Sequence, residues 1–379
     1  MYGIEMKPEM FWQMSAVCAL VFSASYYVSE SLGMLKRMGL SALLTCIPIG
    51  FWALSFYAHF QVKMPPVVTL AALIGVILVI NYVPDSGIFK AVRLATMALT
   101  LLFVSGVFHE SGGWLSLYFG CMASIMVLEY MNKENMASFT GKENLESLSY
   151  DYLRALLGPI LLFSYSNPFP VNLGIGSWPY VVQAVLACVV LDFKTYWHHR
   201  LQHGWLPLWK FHRAHHSTKE LSAISGTRSN VVDVYLFQAA VDVSIVWMLG
   251  LTPSAVVFYW LLDFALAGSL CHSGLNIPKK ETWFCKVLNT PNVHTLHHEL
   301  LYQGGHMKTY NFADVFPIWD VMFGTYKYPE KPVTEFGIDD TMYNNSNLII
   351  QQVVLPFVPY RYQINTPSAP AKAADKKAS

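Results

Sequence analysis

VVDVYLFQAAVDVSIVWMLGLTPSAVVFYWLLDFALAGSL, residues 231–270, consists of two apolar runs that only a Leu-Thr dipeptide separates. Each run, 231–250 and 253–270, is long enough to cross about 30 Å of hydrocarbon as a helix. Pro253 opens the second run and suits the first turn of a new helix. The stretch therefore predicts a helical hairpin that crosses a membrane and returns to the side from which it started.

The composition of the chain also indicates a membrane protein. Of its 379 residues, 54% are hydrophobic and 13% are charged, whereas about 25% of the residues of a soluble domain are charged. We expect an all-α fold: a multi-pass transmembrane helical bundle with a cytosolic histidine-rich helical lobe. A shorter apolar run, 152–164, is interpreted as interfacial or re-entrant. The other predicted membrane spans are 11–28, 39–58, 66–83, 92–108, 113–130 and 177–197.

A polar stretch, residues 131–154, divides the chain into two parts. It predicts an N-terminal transmembrane bundle of unknown role at 1–135 and a second module at 150–330. Residues 364–379 are small, charged and rich in Pro and Ala, a composition that predicts a disordered tail. The net charge of +1, with basic residues confined to loops, argues against nucleic acid as a partner.

Two histidine motifs of one pattern, HxxHH, flank the predicted hairpin: FHRAHHS at 211–217 and NVHTLHH at 292–298. Because a hairpin returns the chain to the same side, both motifs are expected to emerge on one face of the membrane. Basic residues surround both motifs and place that face in the cytoplasm by the positive-inside rule. They are Lys194, Arg200, Lys210, Arg213, Lys219 and Arg228 in the first loop, and Lys279, Lys280, Lys286 and Lys308 in the second.

Nine histidines are candidate metal ligands. Spacings of i, i+3 and i+4 share one face of a helix, so each triplet is predicted to direct three imidazoles into one volume. Neutral imidazole suits iron, zinc or copper but not magnesium or calcium. Nine nitrogens exceed one coordination sphere, which favours a dinuclear centre, with an oxygen-activating di-iron pair as the preferred version. The candidates are His199, His203, His212, His215, His216, His272, His294, His297 and His298.

Two aspartates are predicted to support these ligands from outside. Asp192 lies seven residues before His199 on the same helical face. Asp233 lies level with His272 when residues are counted outward from the hairpin turn, at about 1.5 Å per residue. Both carboxylates are expected to accept the free imidazole N–H, which would fix the tautomer that leaves the other nitrogen for a metal.

The remaining histidines are given lesser roles. His306, in the sequence QGGHMK, is interpreted as an outer or lid residue of the site. His198 would point about 100° away from His199 on a helix and is left out of the site. His59 and His109 fall in the N-terminal bundle and are interpreted as ordinary interfacial side chains.

Other chemistries fit the sequence less well. HHELLY resembles the zinc-protease motif HExxH, but Tyr302 occupies the place of the second ligand. A metal transporter would distribute its histidines along a path through the bilayer. A zinc-dependent membrane lipid hydrolase needs only about three protein ligands and an open position for water. Both functions remain alternatives to an oxygenase, and the metal content would distinguish them.

The chain resembles the integral-membrane sterol desaturase and fatty acid hydroxylase superfamily. The resemblance rests on DFKTYWHHRLQHGWLPLWKFHRAHHS, the lone HSGLN, and TPNVHTLHH followed by YNFADVFPIWDVMFGTY, which match three histidine boxes and a terminal WDxxFGTY-like signature in order. It covers roughly 150–330, and it implies that the nine histidines are the ligands of a di-metal centre. Some relatives carry a further histidine where this chain has Asn276, which is interpreted as an outer residue of the site.

The resemblance also implies an activity, cofactors and partners. The expected function is hydroxylation or desaturation of a lipid C–H bond, with two iron ions as cofactor and O2 as co-substrate. Zinc is a possible substitute in the isolated protein. No HPGG haem-binding stretch is present, so electrons are expected from an external cytochrome b5-, ferredoxin- or rubredoxin-like donor. The expected substrate is a membrane lipid, reached from a site on the cytoplasmic face.

Overall fold

The computed structural model describes residues 170–275, 281–300 and 310–358, together with single positions between 122 and 150. Within these residues every named element is helical, and β pairing is limited to one isolated bridge between Glu299 and Phe336. The expectation of an all-α fold agrees with this part of the chain. The predicted spans at 11–28, 39–58, 66–83 and 92–108 lie outside the described residues, as do the run 152–164 and the tail 364–379.

Seven α-helices follow one another along the described chain, and short 3-10 or π-helical turns join some of them. The longest helix, α1, carries the HxxxH pair near its C-terminal end, and α2 and α5 carry the two HxxHH motifs. The helices are α1 Tyr180–Gly204, α2 Leu206–His216, α3 Ala240–Leu249, α4 Pro253–Asp263, α5 Pro291–His297, α6 Ile318–Met322 and α7 Thr341–Asn344.

The two helices of the predicted hairpin and the turn between them are confirmed, whereas their crossing of a membrane stays a prediction. Helix α3 ends at Leu249, and α4 begins at Pro253. Between them Gly250 has φ 70°, a left-handed conformation that glycine adopts without steric cost. The side-chain oxygen of Gln183 on α1 accepts hydrogen bonds from the backbone N–H and the hydroxyl of Thr252, at 3.0 and 2.8 Å. The turn is therefore fixed against the start of α1, which packs along α4.

Both arms of the hairpin contain π-helical stretches that the sequence did not predict. Asp233–Ala239 precedes α3, and Phe264–Cys271 continues α4. The i→i+5 hydrogen bonding of a π-helix makes wider turns than those of an α-helix, and such turns occur frequently at functional sites. Counting residues at α-helical spacing therefore misplaces side chains at the open end of the hairpin, where the histidines lie.

Two stretches of the described chain are long and apolar enough to cross a membrane, Tyr180–Gly204 and Pro253–Cys271. Along α1, large exposed apolar side chains recur every four residues and form a stripe that winds around the helix by about 40° per step. Such a stripe suits contact with lipid and supports a membrane protein. The exposed residues are Val181, Val185, Val189, Phe193, Trp197 and Leu201.

Four basic residues that were assigned to the first loop lie inside helices: Lys194 and Arg200 in α1, and Lys210 and Arg213 in α2. Lys194 is the farthest from the loop, and its Nζ contacts Oδ1 of Asp242 on α3 at 2.7 Å. A nearly buried ammonium group needs such a partner, because burying an unpaired charge is costly. Lys194 therefore carries no information about which side of the membrane faces the cytoplasm.

A separate apolar core fixes the end of α2 that carries the first HxxHH motif. Its members come from α2, from α7 and from positions before and after them in the chain. Arg213 crosses this region and donates to the carboxylate of Asp340 at 2.8 Å and to the carbonyl of Leu355 at 2.7 Å. The core consists of Tyr150, Trp209, Ala214, Ile338, Tyr343 and Leu355.

Candidate metal centre

The structure brings all nine candidate histidines together in two buried groups. Within each group the nitrogen atoms that could bind a metal lie within 4.8 Å of one another. The groups adjoin, since the rings of His216 and His298 stack across the boundary with centroids 4.4 Å apart. The five-histidine cluster is His199, His203, His212, His216 and His297; the four-histidine cluster is His215, His272, His294 and His298.

The expectation that each HxxHH triplet fills one volume was wrong, because both triplets divide between the clusters. On a helix, side chains at i and i+4 are about 40° apart, whereas i+3 and i+4 diverge by about 100°. Helix α2 therefore sends the i, i+4 pair to the five-histidine cluster and its i+3 residue, His215, to the other. The second motif has the opposite arrangement, with only His297 in the five-histidine cluster. The HxxHH pattern thus serves two neighbouring sites.

Backbone carbonyl groups orient two imidazoles in each cluster. In the five-histidine cluster, Nδ1 of His199 donates to the carbonyl of Phe312 at 2.8 Å, and Nδ1 of His297 donates to that of Tyr310 at 3.0 Å. A carbonyl oxygen can only accept, so the proton must reside on Nδ1. The Nε2 lone pair of each ring is then left for another partner.

The same arrangement occurs in the four-histidine cluster. His215 donates from Nδ1 to the carbonyl of Arg228 at 3.2 Å, and His272 donates from Nδ1 to that of Ala267. The acceptors come from different parts of the chain, so local sequence spacing does not reveal them. They fix the tautomer in the way that the sequence analysis had expected of aspartates.

These tautomers provide a test of whether a metal fits. Nε2 of His272 lies 3.1 Å from Nε2 of His215, although both rings carry their proton on Nδ1. Two lone pairs at this distance repel each other unless a cation lies between them. Adjacent ligands of a six-coordinate ion, each about 2.1 Å from the metal, would be about 3 Å apart. The four-histidine cluster therefore fits a metal ion better than it fits a hydrogen-bonded core.

The other nitrogens point to the same conclusion. Nε2 of His294 lies 3.0 Å from that of His272 and 3.1 Å from that of His298. In the five-histidine cluster, Nε2 of His199 and of His212 are buried and make no hydrogen bond with any described residue. Buried polar atoms normally have a partner. A cation within each cluster would supply it.

Burial also keeps the imidazoles in the form that binds metal. It lowers the pKa of His212, His216, His294 and His298 well below the usual 6.5, and neighbouring imidazoles lower it further. Burial lowers the pKa of His272 to about 4, although its hydrogen bond to Ala267 opposes the shift. These rings are neutral at pH 7, so a metal need not compete with a proton.

Asp320, which the sequence analysis did not single out, supports the segment that orients His199. Its carboxylate accepts hydrogen bonds from the backbone N–H of Phe312 and of Ala313, both at 2.9 Å, and from the hydroxyl of Thr325 at 2.7 Å. The carbonyl of Phe312 then meets His199. The signal was present in the sequence, because Asp320 is the aspartate of the WDxxFGTY-like signature.

The role expected of Asp192 must be corrected. Its carboxylate accepts from the backbone N–H of Val315 and of Phe316, both at 3.1 Å, and from the indole of Trp319 at 2.8 Å, rather than from His199. Seven residues are about 10.5 Å along a helix, too far for direct contact with His199. Asp192 instead anchors the segment that follows Phe312, so it acts on the same support as Asp320.

Asp233 also has a different partner from the expected one. Its carboxylate contacts Nε2 of His198 at 3.4 Å and accepts from the amide of Gln202 at 2.6 Å. The nearest candidate ligand is His212, whose Nδ1 is 4.0 Å away, and not His272. The π-helical stretches of the hairpin explain this error, because they shift the register on which the residue count relied.

Asn276 and His306, two proposed outer residues of the site, lie outside the described part of the chain. The same is true of His59 and His109. His198 is described, and it lies outside both clusters. This placement agrees with the prediction that left it out of the site.

Residues 184–325 match the fatty acid hydroxylase family. This match spans α1 to α6 and includes all nine histidines. The match supports the fatty acid hydroxylase and sterol desaturase superfamily for these residues, which are less than half of the chain. The resemblance drawn from the histidine motifs is thereby confirmed for this part of the chain.

Curated proteins that resemble the chain are named for different lipids. An ornithine lipid hydroxylase of Rhizobium tropici is 33% identical, over 43% of this chain and 47% of its own length. An alkylglycerol monooxygenase of Xenopus tropicalis is 27% identical, over 39% of this chain and 31% of its own. A methylsterol monooxygenase of Arabidopsis thaliana is 27% identical, over 46% of this chain and 60% of its own. The chain thus spans less than two thirds of each relative, and no solved structure matches it.

Proposed function

We propose that the protein is a membrane-bound non-haem di-iron oxygenase that hydroxylates a C–H bond of a lipid, using O2 and electrons from a separate protein. The observation that carries this proposal is the pair of adjoining buried histidine clusters, of five and four members. The names of the relatives add support, because they describe hydroxylases and monooxygenases of lipids.

Each cluster would hold one iron ion through imidazole nitrogen. When bound, the two irons supply the activation of O2 that an unactivated C–H bond requires, since no side chain is basic enough to deprotonate such a bond. The residues of the chain have other tasks. Carbonyl groups such as that of Phe312 keep the proton on Nδ1, burial keeps the rings neutral, and the packing around them excludes water.

The surroundings of the site suit a substrate with a long apolar part. Between α1, α4 and α6 lies a cavity of about 590 Å³ whose lining is almost wholly apolar, including Val185, Phe258 and Trp319. Its nearest lining residue on α1, Val189, is ten residues before His199, about 15 Å along the helix. In this proposal the lipid comes from the bilayer and the histidine-rich lobe lies on the cytoplasmic side, where a cytochrome b5-, ferredoxin- or rubredoxin-like donor delivers electrons.

The two alternatives explain fewer of these observations. A zinc-dependent hydrolase needs about three protein ligands and one ion, which leaves most of the nine histidines without a purpose. A metal transporter would need ligands spaced along a route through the bilayer, whereas these histidines form two adjoining groups. Desaturation of the lipid remains a variant of the same chemistry, with loss of two hydrogens in place of the gain of one oxygen.

The source of the product oxygen tests the proposal. Cells that express the chain would be grown under oxygen-18 gas, and their lipids compared by mass spectrometry with those of cells expressing His297→Ala at the same level. We expect a lipid that gains one oxygen-18 atom only with the unaltered chain. An added oxygen atom without the label, which would come from water, or cleavage of a lipid without oxidation, would contradict an oxygenase and favour a hydrolase. A lipid lacking two hydrogens would identify the desaturase variant.

A further inference from the structure

Residues that precede the matched domain contact the chain segments next to the metal centre. The match begins at residue 184, yet described residues between 129 and 150 bind the loop at 217–228, which connects the first HxxHH motif to the hairpin. Asn144 accepts a hydrogen bond from the hydroxyl of Ser222, and Glu143 accepts one from Thr218 at 3.4 Å. The polar stretch at 131–154, which was interpreted as a boundary, therefore includes helical residues that bind the loop at 217–228.

Glu129 makes the most informative of these contacts. Its side chain is fully buried. One carboxylate oxygen accepts hydrogen bonds from the backbone N–H of Ala223 at 2.9 Å and of Gly274 at 3.3 Å. Ala223 belongs to the loop after the first HxxHH motif, and Gly274 lies two residues beyond His272. A single carboxylate thus joins the two chain segments that flank the four-histidine cluster.

The loop at 217–228, which Glu129 contacts, also packs closely against the four-histidine cluster. A Cβ atom on Gly226 would lie 1.9 Å from the carbonyl oxygen of Gly268 and 2.7 Å from Nδ1 of His272, so only glycine fits there. At the end of the loop, the carbonyl of Arg228 accepts the Nδ1 proton of His215. Displacing the loop would therefore disturb two of the four histidines in this cluster.

Arg228 is itself held by the same region before the domain. Its guanidinium group lies 3.1 Å from a carboxylate oxygen of Glu143 and 3.8 Å from one of Glu146. It also lies over the ring of Tyr150, 5.0 Å from the ring centre. These contacts fix the residue whose carbonyl orients His215.

We infer that Glu129 is a positioning residue for the four-histidine cluster, and that it acts together with Glu143 and Tyr150 as a functional part of the metal centre. The inference rests on the proposed function, since it assumes that both clusters bind iron. The role of Glu129 is to accept hydrogen bonds from two backbone N–H groups, which would otherwise lose this partner. Glutamine can also accept at this position, whereas alanine cannot.

The test uses the full chain, stripped of metal and reloaded anaerobically with Fe²⁺ alone. Iron per chain and the rate of iron release to a chelator are measured for the unaltered protein, Glu129→Gln, Glu129→Ala and a control, Glu281→Gln, which changes an exposed carboxylate. We expect two irons per chain in all except Glu129→Ala. In that variant one iron is absent or is released about 10-fold faster.

Double variants identify which iron is affected. Adding His298→Ala to Glu129→Ala should leave the slowly released iron unaffected, whereas adding His199→Ala should remove it. Retention of both irons in Glu129→Ala, with release as slow as in the unaltered protein, would overturn the inference, and so would an equal effect in the glutamine variant. Loss of both irons together, or of the helical circular dichroism, would assign Glu129 a general structural role and also overturn it. Failure of the unaltered protein to bind two irons would instead contradict the proposed function.

Discussion

Replacing either of two adjacent histidines, His297 or His298, with alanine is expected to abolish lipid hydroxylation by removing a different iron in each case. The two residues are neighbours in the chain, but they belong to different clusters. Loss of a hydrogen-bond partner of a metal ligand typically reduces activity by about 10- to 100-fold. Loss of a ligand itself should reduce turnover by more than this. Each single variant should retain about one iron per chain, because the other cluster keeps its histidines.

Combined variants and a matched control make this prediction specific. His297→Ala with His298→Ala should lose both irons, whereas His297→Ala with His199→Ala should lose only one, since both residues belong to the five-histidine cluster. His198→Ala is the control. His198 is next to His199 in the chain, but its own imidazole contacts Asp233 outside the clusters. It should keep both irons and most of the activity. Equal iron loss in the two double variants would disprove the division into two sites.

The second large effect is expected at Asp320, which contacts no histidine. Its buried carboxylate accepts from two consecutive backbone N–H groups, and the carbonyl of the first residue, Phe312, orients His199. Asp320→Asn replaces one acceptor oxygen with a donor, so at least one of these hydrogen bonds is lost. We expect iron retention in the five-histidine cluster to weaken by about 10- to 100-fold.

Iron release to a chelator measures this effect, with Asp339→Asn as the control, because Asp339 is exposed on the same lobe. Asp320→Asn should lose one iron quickly and the other at the rate of the unaltered protein, whereas Asp339→Asn should release both at that slower rate. Unchanged release of both irons would show that the contact between Phe312 and His199 does not depend on Asp320. Accelerated release of both would show that Asp320 stabilises the lobe as a whole.

The sequence predicted the features that depend on local periodicity. The hairpin followed from two apolar runs and Pro253, and the nine histidines followed from their spacing and from the hairpin between them. Both rest on helical geometry, which acts over a few residues. The fold of residues 1–121 and the number of membrane spans there stay predictions.

Contacts between segments that are distant in the chain could not be predicted from local sequence patterns. The partner of Asp233 depends on π-helical turns that leave no clear signal in composition. The carbonyl groups that orient His199 and His297 lie on one segment, 13 residues or more away in sequence. The division of each HxxHH triplet between two clusters, in contrast, could have been predicted, because it follows from the helical angle of about 100° per residue.

The most direct test of the central claim is how catalysis depends on iron content. Metal-stripped protein would receive Fe²⁺ in measured steps without oxygen, and hydroxylation of the lipid found in the oxygen-18 experiment would then be followed after O2 and reductant are added. We predict that binding saturates at two irons per chain, and that product forms only as the second iron binds. Full activity with one iron, or with zinc alone, would contradict the assignment of the two histidine clusters to a di-iron oxygenase.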